Sequence, residues 1–308
     1  MRISLFGGGT DLDPFCSQYG STIISFAINR YIYLTWNPRP TGGCHLGYSE
    51  VEELETLKDA KHSLVREAAR RYGIEEPCTL TIVSDLPKGT GLGSSSALAV
   101  CLVKLAYPDY LPNSLWRLAA RIEQAHSKAG WQDYLPATYG RFAVYRVPSG
   151  PSGIGEQFDI ENNPTTHPVD LINRYGLLLY TGTSRPADSV LGSWQKSDAQ
   201  LHEIKALADE MAGRIDDITP EALGAALSET WRMKRSIPGV TYPKLNEQFA
   251  LAIAKGALGG KLCGAGAGGC WFFLVPPNSR TRANVVQALG LREIPFRIAE
   301  KGVETWEL

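Results

Sequence analysis

A loop with almost no side chains separates an apolar, strand-like run from an apolar, helix-like run. Its sequence is SDLPKGTGLGSSSAL, residues 84–98. The first backbone N–H groups of a helix lack internal partners and attract anions, and glycines let the chain wrap closely around a phosphate. The stretch therefore predicts a phosphate-binding loop, whose candidate nucleotide-binding residues are Pro87, Gly89, Gly91, Gly93, Ser94, Ser95 and Ser96.

The loop is not of the Walker A type, because its sequence lacks the GxxxxGK[ST] pattern. Read alone, it is equally consistent with an ordinary strand-to-helix turn that ends in a serine cap. Only the rest of the chain can decide between these interpretations.

Composition and net charge limit the class of protein and the kinds of partner that we expect. The 308 residues are 44% hydrophobic and 20% charged, which is typical of a soluble globular protein with one large domain or two fused lobes. The net charge of -1 argues against a general nucleic-acid or membrane surface, because polyanions bind basic faces. We therefore expect neither a nucleic-acid nor a membrane partner.

The six cysteines show no CxxC spacing, and two of them, Cys101 and Cys270, lie inside apolar runs. This pattern favours buried, reduced thiols over disulfides or a zinc site. The N-terminal sequence lacks the apolar core of a signal peptide, and no later run has the length of a membrane span. The expected location is the cytoplasm.

Strands and helices mix along the chain without strict βαβα alternation, which predicts an α+β fold. Periodicity and composition predict strands at 21–36, 78–87, 141–147, 174–182, 292–299 and at the end of the glycine-rich segment 259–277. Helices are predicted at 53–72, 97–105, 114–128, 245–257, 282–290 and over most of 186–232, with Thr219 capping a helix that starts at Pro220. Residues 129–140 are predicted to form a polar loop, and 148–155 a hinge or hairpin turn.

Three motifs, in this order, resemble those of the GHMP kinases. They are RISLFGGGTDLDPF near the start, PKGTGLGSSSAL, and GGKLCGAGAGGCWFFLVP near the end. The first and third are similar to the subgroup that phosphorylates D-glycero-D-manno-heptose 7-phosphate, as are TGTSRPADSVL and WRMKRSIPGVT, while WQDYLPATYG is similar to both heptose and fucose kinases. The resemblance spans nearly the whole chain.

The resemblance implies a two-lobed fold with an N-terminal ATP-binding lobe and a C-terminal α/β lobe. We expect the N-terminal domain at 1–150 and the C-terminal domain at 151–308, with the substrate site at their interface. The implied cofactors are ATP and Mg²⁺. A hydroxyl at Ser95 and the carboxylate of Glu123 match the family's metal ligands, and hard oxygen ligands suit that ion. The alternative for Glu123 is a solvated charge on a helix.

Asp133 matches the family's catalytic aspartate. Phosphoryl transfer needs an acceptor hydroxyl that is oriented in line and relieved of its proton, and a carboxylate can do both. The alternative is an aspartate that satisfies backbone groups of its own loop. Arg2 matches a basic residue near the reacting hydroxyl, where its charge would stabilise the transferring group. Alternatively, its position at the chain start suggests a frayed residue.

The resemblance also implies the substrate-binding residues. Gly8, Gly9, Thr10 and Asp11 match the sugar-binding part of the first motif, although Asp11 could instead cap the following segment. Gly264 and Gly266 belong to a second close-approach loop or to a tight hairpin turn. Arg185, Lys234 and Arg235 are candidates for a pocket that binds a phosphate already on the sugar, and the alternative is solvated surface charge.

The hypothesis that follows is an ATP-dependent kinase that phosphorylates the anomeric hydroxyl of the heptose 7-phosphate. Its partner is then a small sugar phosphate, and the chain acts as a monomer or homodimer. A kinase of a free sugar such as fucose or galactose, a non-catalytic ATP and sugar sensor, and an ATP-using decarboxylase on the same fold remain alternatives.

Overall fold

A computed structural model describes residues 1–123, 129–150, 159–161, 166–183 and 198–307. The strands are β1 Arg2–Phe6, β2 Ser21–Ala27, β3 Ile32–Pro38, β4 Cys44–Gly47, β5 Val51–Leu54, β6 Cys78–Ser84, β7 Phe142–Val147, β8 Asp159–Glu161, β9 Gly176–Tyr180, β10 Gly259–Leu262, β11 Cys270–Leu274 and β12 Arg292–Glu293. The α-helices are α1 Phe15–Tyr19, α2 Ser63–Tyr72, α3 Ser94–Ala106, α4 Pro112–Glu123, α5 Trp131–Tyr139, α6 Thr166–Tyr175, α7 Asp198–Ala212, α8 Pro220–Arg235, α9 Pro243–Ala254 and α10 Ser279–Leu289. Among these helices, none combines the length and apolar character that crossing a bilayer requires.

The described strands form three four-stranded sheets. Their strand orders are β1-β2-β7-β8, β3-β6-β4-β5 and β10-β11-β9-β12. Among the described strands, β4 pairs with β6 in parallel and the other pairs are antiparallel. Mixed helices and largely antiparallel sheets confirm the predicted α+β class.

The first sheet lies between two apolar cores, which explains why every residue of β2 is buried. Ile23 packs into a core shared with α3, α4 and α5, whereas Ile24 and Phe26 point to the opposite face. On that face Phe26 meets Phe272 of β11, with ring centroids 5.9 Å apart. One continuous core therefore joins β1 and β2 to the sheet formed near the C-terminus, and the domain boundary at 150 stays a prediction.

The predicted helix 53–72 is wrong in its first half. Val51–Leu54 forms an antiparallel strand with β4, and a 3-10 turn with buried Leu57 follows before the helix begins at Ser63. The carboxylate of Glu52 accepts hydrogen bonds from the Tyr48 hydroxyl and the Lys61 amide. These tertiary contacts override the helix propensity of the Glu- and Leu-rich segment.

Most of the polar loop predicted at 129–140 is instead helix α5, Trp131–Tyr139, with Pro136 inside it. Trp131, Tyr134 and Leu135 recur at helical spacing and are all buried against the neighbouring helices. Their burial compensates for the backbone hydrogen bond that a proline within a helix removes.

Two strands near the C-terminus also differ from their predictions. The segment 259–262 is a strand in its own right, and the glycine-rich loop connects it to β11. The strand predicted at 292–299 is only two residues long, followed by an isolated bridge between Ile298 and Ile28. The Thr219 cap and the helix start at Pro220 are confirmed. All six cysteines are free, and all but Cys101 are buried.

Candidate active site

The predicted phosphate-binding loop connects β6 to α3. Gly89, Gly91 and Gly93 all have positive φ, at 77°, 75° and 71°. Alternate left-handed glycines turn the backbone sharply just before the helix begins at Ser94, so the amides at the start of α3 open towards the loop. This arrangement is typical of an anion-binding helix start. The helix α3 has 13 residues, and its N-cap residue, Gly93, offers no side-chain cap to the first amides.

The loop after β10 packs directly on the phosphate loop, backbone against backbone. A Cβ built on Gly91 would lie 2.7 Å from the carbonyl oxygen of Cys263, and a Cβ on Gly264 would lie 2.5 Å from the Cα of Gly91. A Cβ built on Gly266 would likewise lie 2.6 Å from Cγ1 of Val240. The third motif is thus a hairpin connection whose glycines also permit close contact with the phosphate loop.

Arg2 joins the phosphate loop to the predicted catalytic aspartate. Its side chain is only 4% exposed, and Nη1 donates to the carbonyl oxygen of Gly91 at 2.6 Å while Nη2 forms an ion pair with Asp133 Oδ1. Its own amide donates to the Leu92 carbonyl. Arg2 is therefore a fixed residue of the first sheet, and the frayed alternative is wrong.

Asp133 lies in the first turn of α5, beside the phosphate loop. Its side chain is 15% exposed, so the carboxylate is held by Arg2 yet open on one side. A carboxylate in this position can accept a proton from a hydroxyl placed between it and an anion on the loop. The arrangement supports proton acceptance combined with charge stabilisation.

Glu123 forms a second acidic site behind the serines of the loop. It is 4% exposed, and its Oε2 accepts a hydrogen bond of 2.6 Å from the Ser96 hydroxyl. Burial raises the pKa of the Glu123 carboxyl, whereas hydrogen bonds from Ser95 and Ser96 act in the opposite direction. A divalent cation would offset the cost of burying this charge, so the residues fit a metal ion.

The hydroxyl and carboxylate oxygens of Ser95 and Glu123 are the kind of donor that Mg²⁺ prefers, since this ion takes one or two protein oxygens and completes its shell with phosphate and water oxygens. Ser95 is exposed at the start of α3, while Ser96 is buried against Glu123. The described residues contain no group of three or more acidic, histidine or cysteine side chains that could form a metal cage. A site of this kind relies on the nucleotide for the remaining ligands.

Asp11 holds the start of α5. The Asp11 side chain is buried, and its oxygens accept bonds from the amide of Gly9 at 2.8 Å and the amide of Gln132 at 3.1 Å. Gly130 leaves room for it, since a Cβ there would lie 2.0 Å from Oδ2. Burial raises the pKa of Asp11, and the Gln132 amide opposes that rise. The carboxylate therefore caps the helix that carries Asp133.

The rest of the first motif forms a tight turn beside Gln132. Thr10 is fully buried, and its hydroxyl donates to the Gly7 carbonyl at 2.8 Å and contacts the Ser21 hydroxyl at 2.7 Å. Gly8 approaches the Gln132 side chain, because a Cβ on it would lie 2.7 Å from Oε1. The turn brings Gly8, Gly9 and Asp11 to the same helix terminus, and their contact with a sugar stays a prediction.

The predicted phosphate pocket is not assembled among the described residues. Lys234 is buried at the end of α8 and its ammonium donates to the carbonyls of Leu262 and Gly264, whereas Arg235 is exposed on another face of the helix. Arg185 lies outside the described residues. Lys234 thus stabilises the third motif, and the role of the three basic residues towards a sugar phosphate stays a prediction.

Comparison with known proteins agrees with this geometry. Residues 59–141 match the family described as GHMP kinases N terminal domain, and residues 206–292 match GHMP kinases C terminal. The two matches together cover more than half of the chain and include the phosphate loop, Asp133 and the third motif. The chain belongs to the GHMP kinase family.

Individual relatives of this GHMP kinase cover most or all of its length. A D-glycero-alpha-D-manno-heptose 7-phosphate kinase of Campylobacter jejuni is 29% identical over 338 residues, covering 100% of this chain and 97% of the relative. A mevalonate kinase of Pyrococcus abyssi is 25% identical over 274 residues, covering 83% and 76% of the two chains. The crystal structure of a D-glycero-D-manno-heptose 1-phosphate kinase from Bacteroides thetaiotaomicron superposes with a TM-score of 0.78 at 23% identity, covering 100% and 97%.

The sequence interpretation did not identify two residues in or next to this GHMP kinase site, Gln132 and Lys261. Gln132 gives no signal in sequence, because its amide contacts Asp11 across 121 positions. Lys261 did give a signal, since it is a lone charge in the otherwise uncharged segment GGKLCGAGAGGCWFFLV. An isolated charge of this kind is rarely buried unless it has specific partners.

Proposed function

We propose that this GHMP kinase transfers the γ-phosphoryl group of ATP to the anomeric hydroxyl of D-glycero-D-manno-heptose 7-phosphate, giving the 1,7-bisphosphate. The observation that carries the proposal is the contact of Arg2 with both Asp133 and the Gly91 carbonyl. This contact supports the proposal because it brings a carboxylate, which could accept a proton, and a cation together beside the phosphate loop.

In the proposed reaction, the acceptor oxygen of the sugar lies between the Asp133 carboxylate and the γ-phosphorus. The new bond joins this oxygen to phosphorus, the bond from phosphorus to the β,γ-bridging oxygen breaks, and ADP leaves with that electron pair. Asp133 orients the hydroxyl and accepts its proton. Arg2 stabilises the negative charge on the transferring group.

The Mg²⁺ site of the proposal consists of Ser95 and Glu123. A bound magnesium ion would neutralise phosphate charge and hold the phosphates in position. The burial of the Glu123 carboxylate directly beside the serines of the loop supports this assignment. The side chain of Ser96 keeps the carboxylate oriented through its hydrogen bond.

The choice of sugar rests on the Campylobacter jejuni relative, whose similarity covers both chains almost completely. The product would enter nucleotide-heptose synthesis for capsule or lipopolysaccharide. We further propose that the protein acts in the cytoplasm as a monomer or homodimer on a small-molecule substrate, without nucleic-acid or membrane partners.

The experiment is ADP release by the purified protein with ATP, Mg²⁺ and a panel of acceptors. The panel contains heptose 7-phosphate, the unphosphorylated heptose, fucose, galactose and mevalonate. We expect efficient turnover with heptose 7-phosphate alone, and a new ³¹P resonance coupled to the anomeric proton. Absence of turnover with the heptose phosphate, or equal turnover with fucose or galactose, would exclude the proposed substrate.

A further inference from the structure

A buried lysine connects the C-terminal sheet to the strand that carries Arg2. Lys261 lies in β10, opposite Phe272 of β11, and is 5% exposed. Its ammonium donates to the carbonyl oxygens of Ser4 at 2.7 Å and Leu5 at 2.9 Å, both in β1. These bonds span 257 and 256 positions of the sequence.

The two carbonyls are available because β1 is irregular at this point. Ser4 pairs with Ser25 and Phe6 with Ile24, so Leu5 is one extra residue opposite a regular β2. Such a bulge disrupts the ladder of hydrogen bonds and redirects the neighbouring carbonyls. An ammonium group with three donors can satisfy both of them.

Lys261 lies between the two elements that surround Arg2, namely strand β1, which carries Arg2, and the phosphate loop, which its side chain contacts. Arg2 precedes Ser4 by two residues in β1, while β10 ends at Leu262 and continues to Gly264, which contacts Gly91 of the phosphate loop. The carbonyl of Gly91 is the one that Arg2 binds. Lys261 therefore connects the strand that holds Arg2 with the segment that leads to the loop receiving the Arg2 side chain.

The free-energy cost of burying the Lys261 ammonium indicates that stability alone does not explain why a lysine occupies this position. Burial lowers the pKa of Lys261 to about 8, with the thiol of Cys263 acting to raise it and the guanidinium of Arg2 to lower it. Since the folded pKa is below the unfolded one, protonation at neutral pH opposes folding. An apolar replacement would remove this cost, but it would also leave the Ser4 and Leu5 carbonyls without their donor.

We propose that Lys261 is a positioning residue for phosphoryl transfer, which holds β1 at its bulge so that Arg2 reaches Asp133 and the Gly91 carbonyl. This inference rests on the proposed function for its kinetic consequence. Its structural part concerns the unliganded protein and can be tested separately.

The test compares Lys261→Met with Lys244→Met, which changes an exposed lysine of α9. We expect K261M to lower kcat about 10- to 100-fold, because small displacements of catalytic groups have effects of this size. K244M should leave kcat unchanged. Hydrogen exchange of the peptide covering residues 1–6, measured without substrates, should accelerate several-fold in K261M and not in K244M.

A double-mutant cycle with Arg2→Met separates positioning from general stabilisation. If Lys261 acts through Arg2, K261M should change kcat by less than about twofold in the R2M background, because coupled residues are not additive. Should K261M not fold, Lys261→Gln, which keeps two N–H donors on a shorter side chain, is carried through the same cycle.

Two results would overturn the inference: unchanged exchange at residues 1–6, or an equal kcat loss in the presence and absence of Arg2. If no sugar is phosphorylated even by the unmodified protein, the proposed function fails instead. The exchange measurement then still decides whether Lys261 fixes β1.

Discussion

Asp133→Asn is expected to lower kcat by about 10³-fold, within the range of 10²- to 10⁴-fold typical of a lost acid or base. The amide keeps the shape of the side chain but accepts a proton far less readily. Because the phosphate loop is untouched, the affinity for a nonhydrolysable ATP analogue should change little. The measurements are ADP release for kcat and calorimetry for nucleotide binding.

The matched control is Asp13→Asn, the same chemical change two residues beyond Asp11. Asp13 is exposed and accepts a bond from the Ser17 amide at the short helix α1. D13N should therefore keep kcat within about twofold, as surface changes outside the site usually do. A D133N variant that folds and retains the original kcat would show that Asp133 is not the catalytic acceptor.

Gly91→Ala is expected to weaken nucleotide binding about 10- to 100-fold and to destabilise the fold by about 1–3 kcal/mol. The added methyl would lie 2.7 Å from the Cys263 carbonyl, so one of the two glycine-rich loops must move. That movement also displaces the carbonyl to which Arg2 donates. ATP-analogue affinity and thermal unfolding measure the two effects.

Gly73→Ala serves as the control for backbone strain. Gly73 has φ of 68°, close to the 75° of Gly91, but a Cβ on it would meet nothing within 4 Å. Both variants thus carry the cost of a left-handed alanine, and only G91A adds the clash. Equal effects of the two variants on nucleotide affinity would contradict the packing of the two loops described above.

The local parts of the site were predictable from sequence because local chemistry determines them. Glycines at 89, 91 and 93 followed by serines favour a turn with positive φ at a helix start, and this preference does not depend on contacts with distant segments. The Thr219–Pro220 helix start was predicted for the same reason. The resemblance of the motifs then supplied the predicted roles of Asp133 and Arg2, which hydrophobic periodicity cannot indicate.

The parts that could not be predicted depend on contacts between distant segments. Helix α5 forms around Pro136 because a buried face and the distant carboxylate of Asp11 stabilise it. The strand at 51–54 forms because β4 is available to pair with it. The Leu5 bulge and its contact with Lys261 join segments more than 250 positions apart, so no local window contains both.

The most direct test of the account is a crystal structure with a nonhydrolysable ATP analogue, Mg²⁺ and heptose 7-phosphate. We predict that the β- and γ-phosphates contact the amides of residues 89–96 and that the anomeric oxygen lies within hydrogen-bond distance of Asp133. A nucleotide bound away from this loop, or an acceptor oxygen remote from Asp133, would contradict the account.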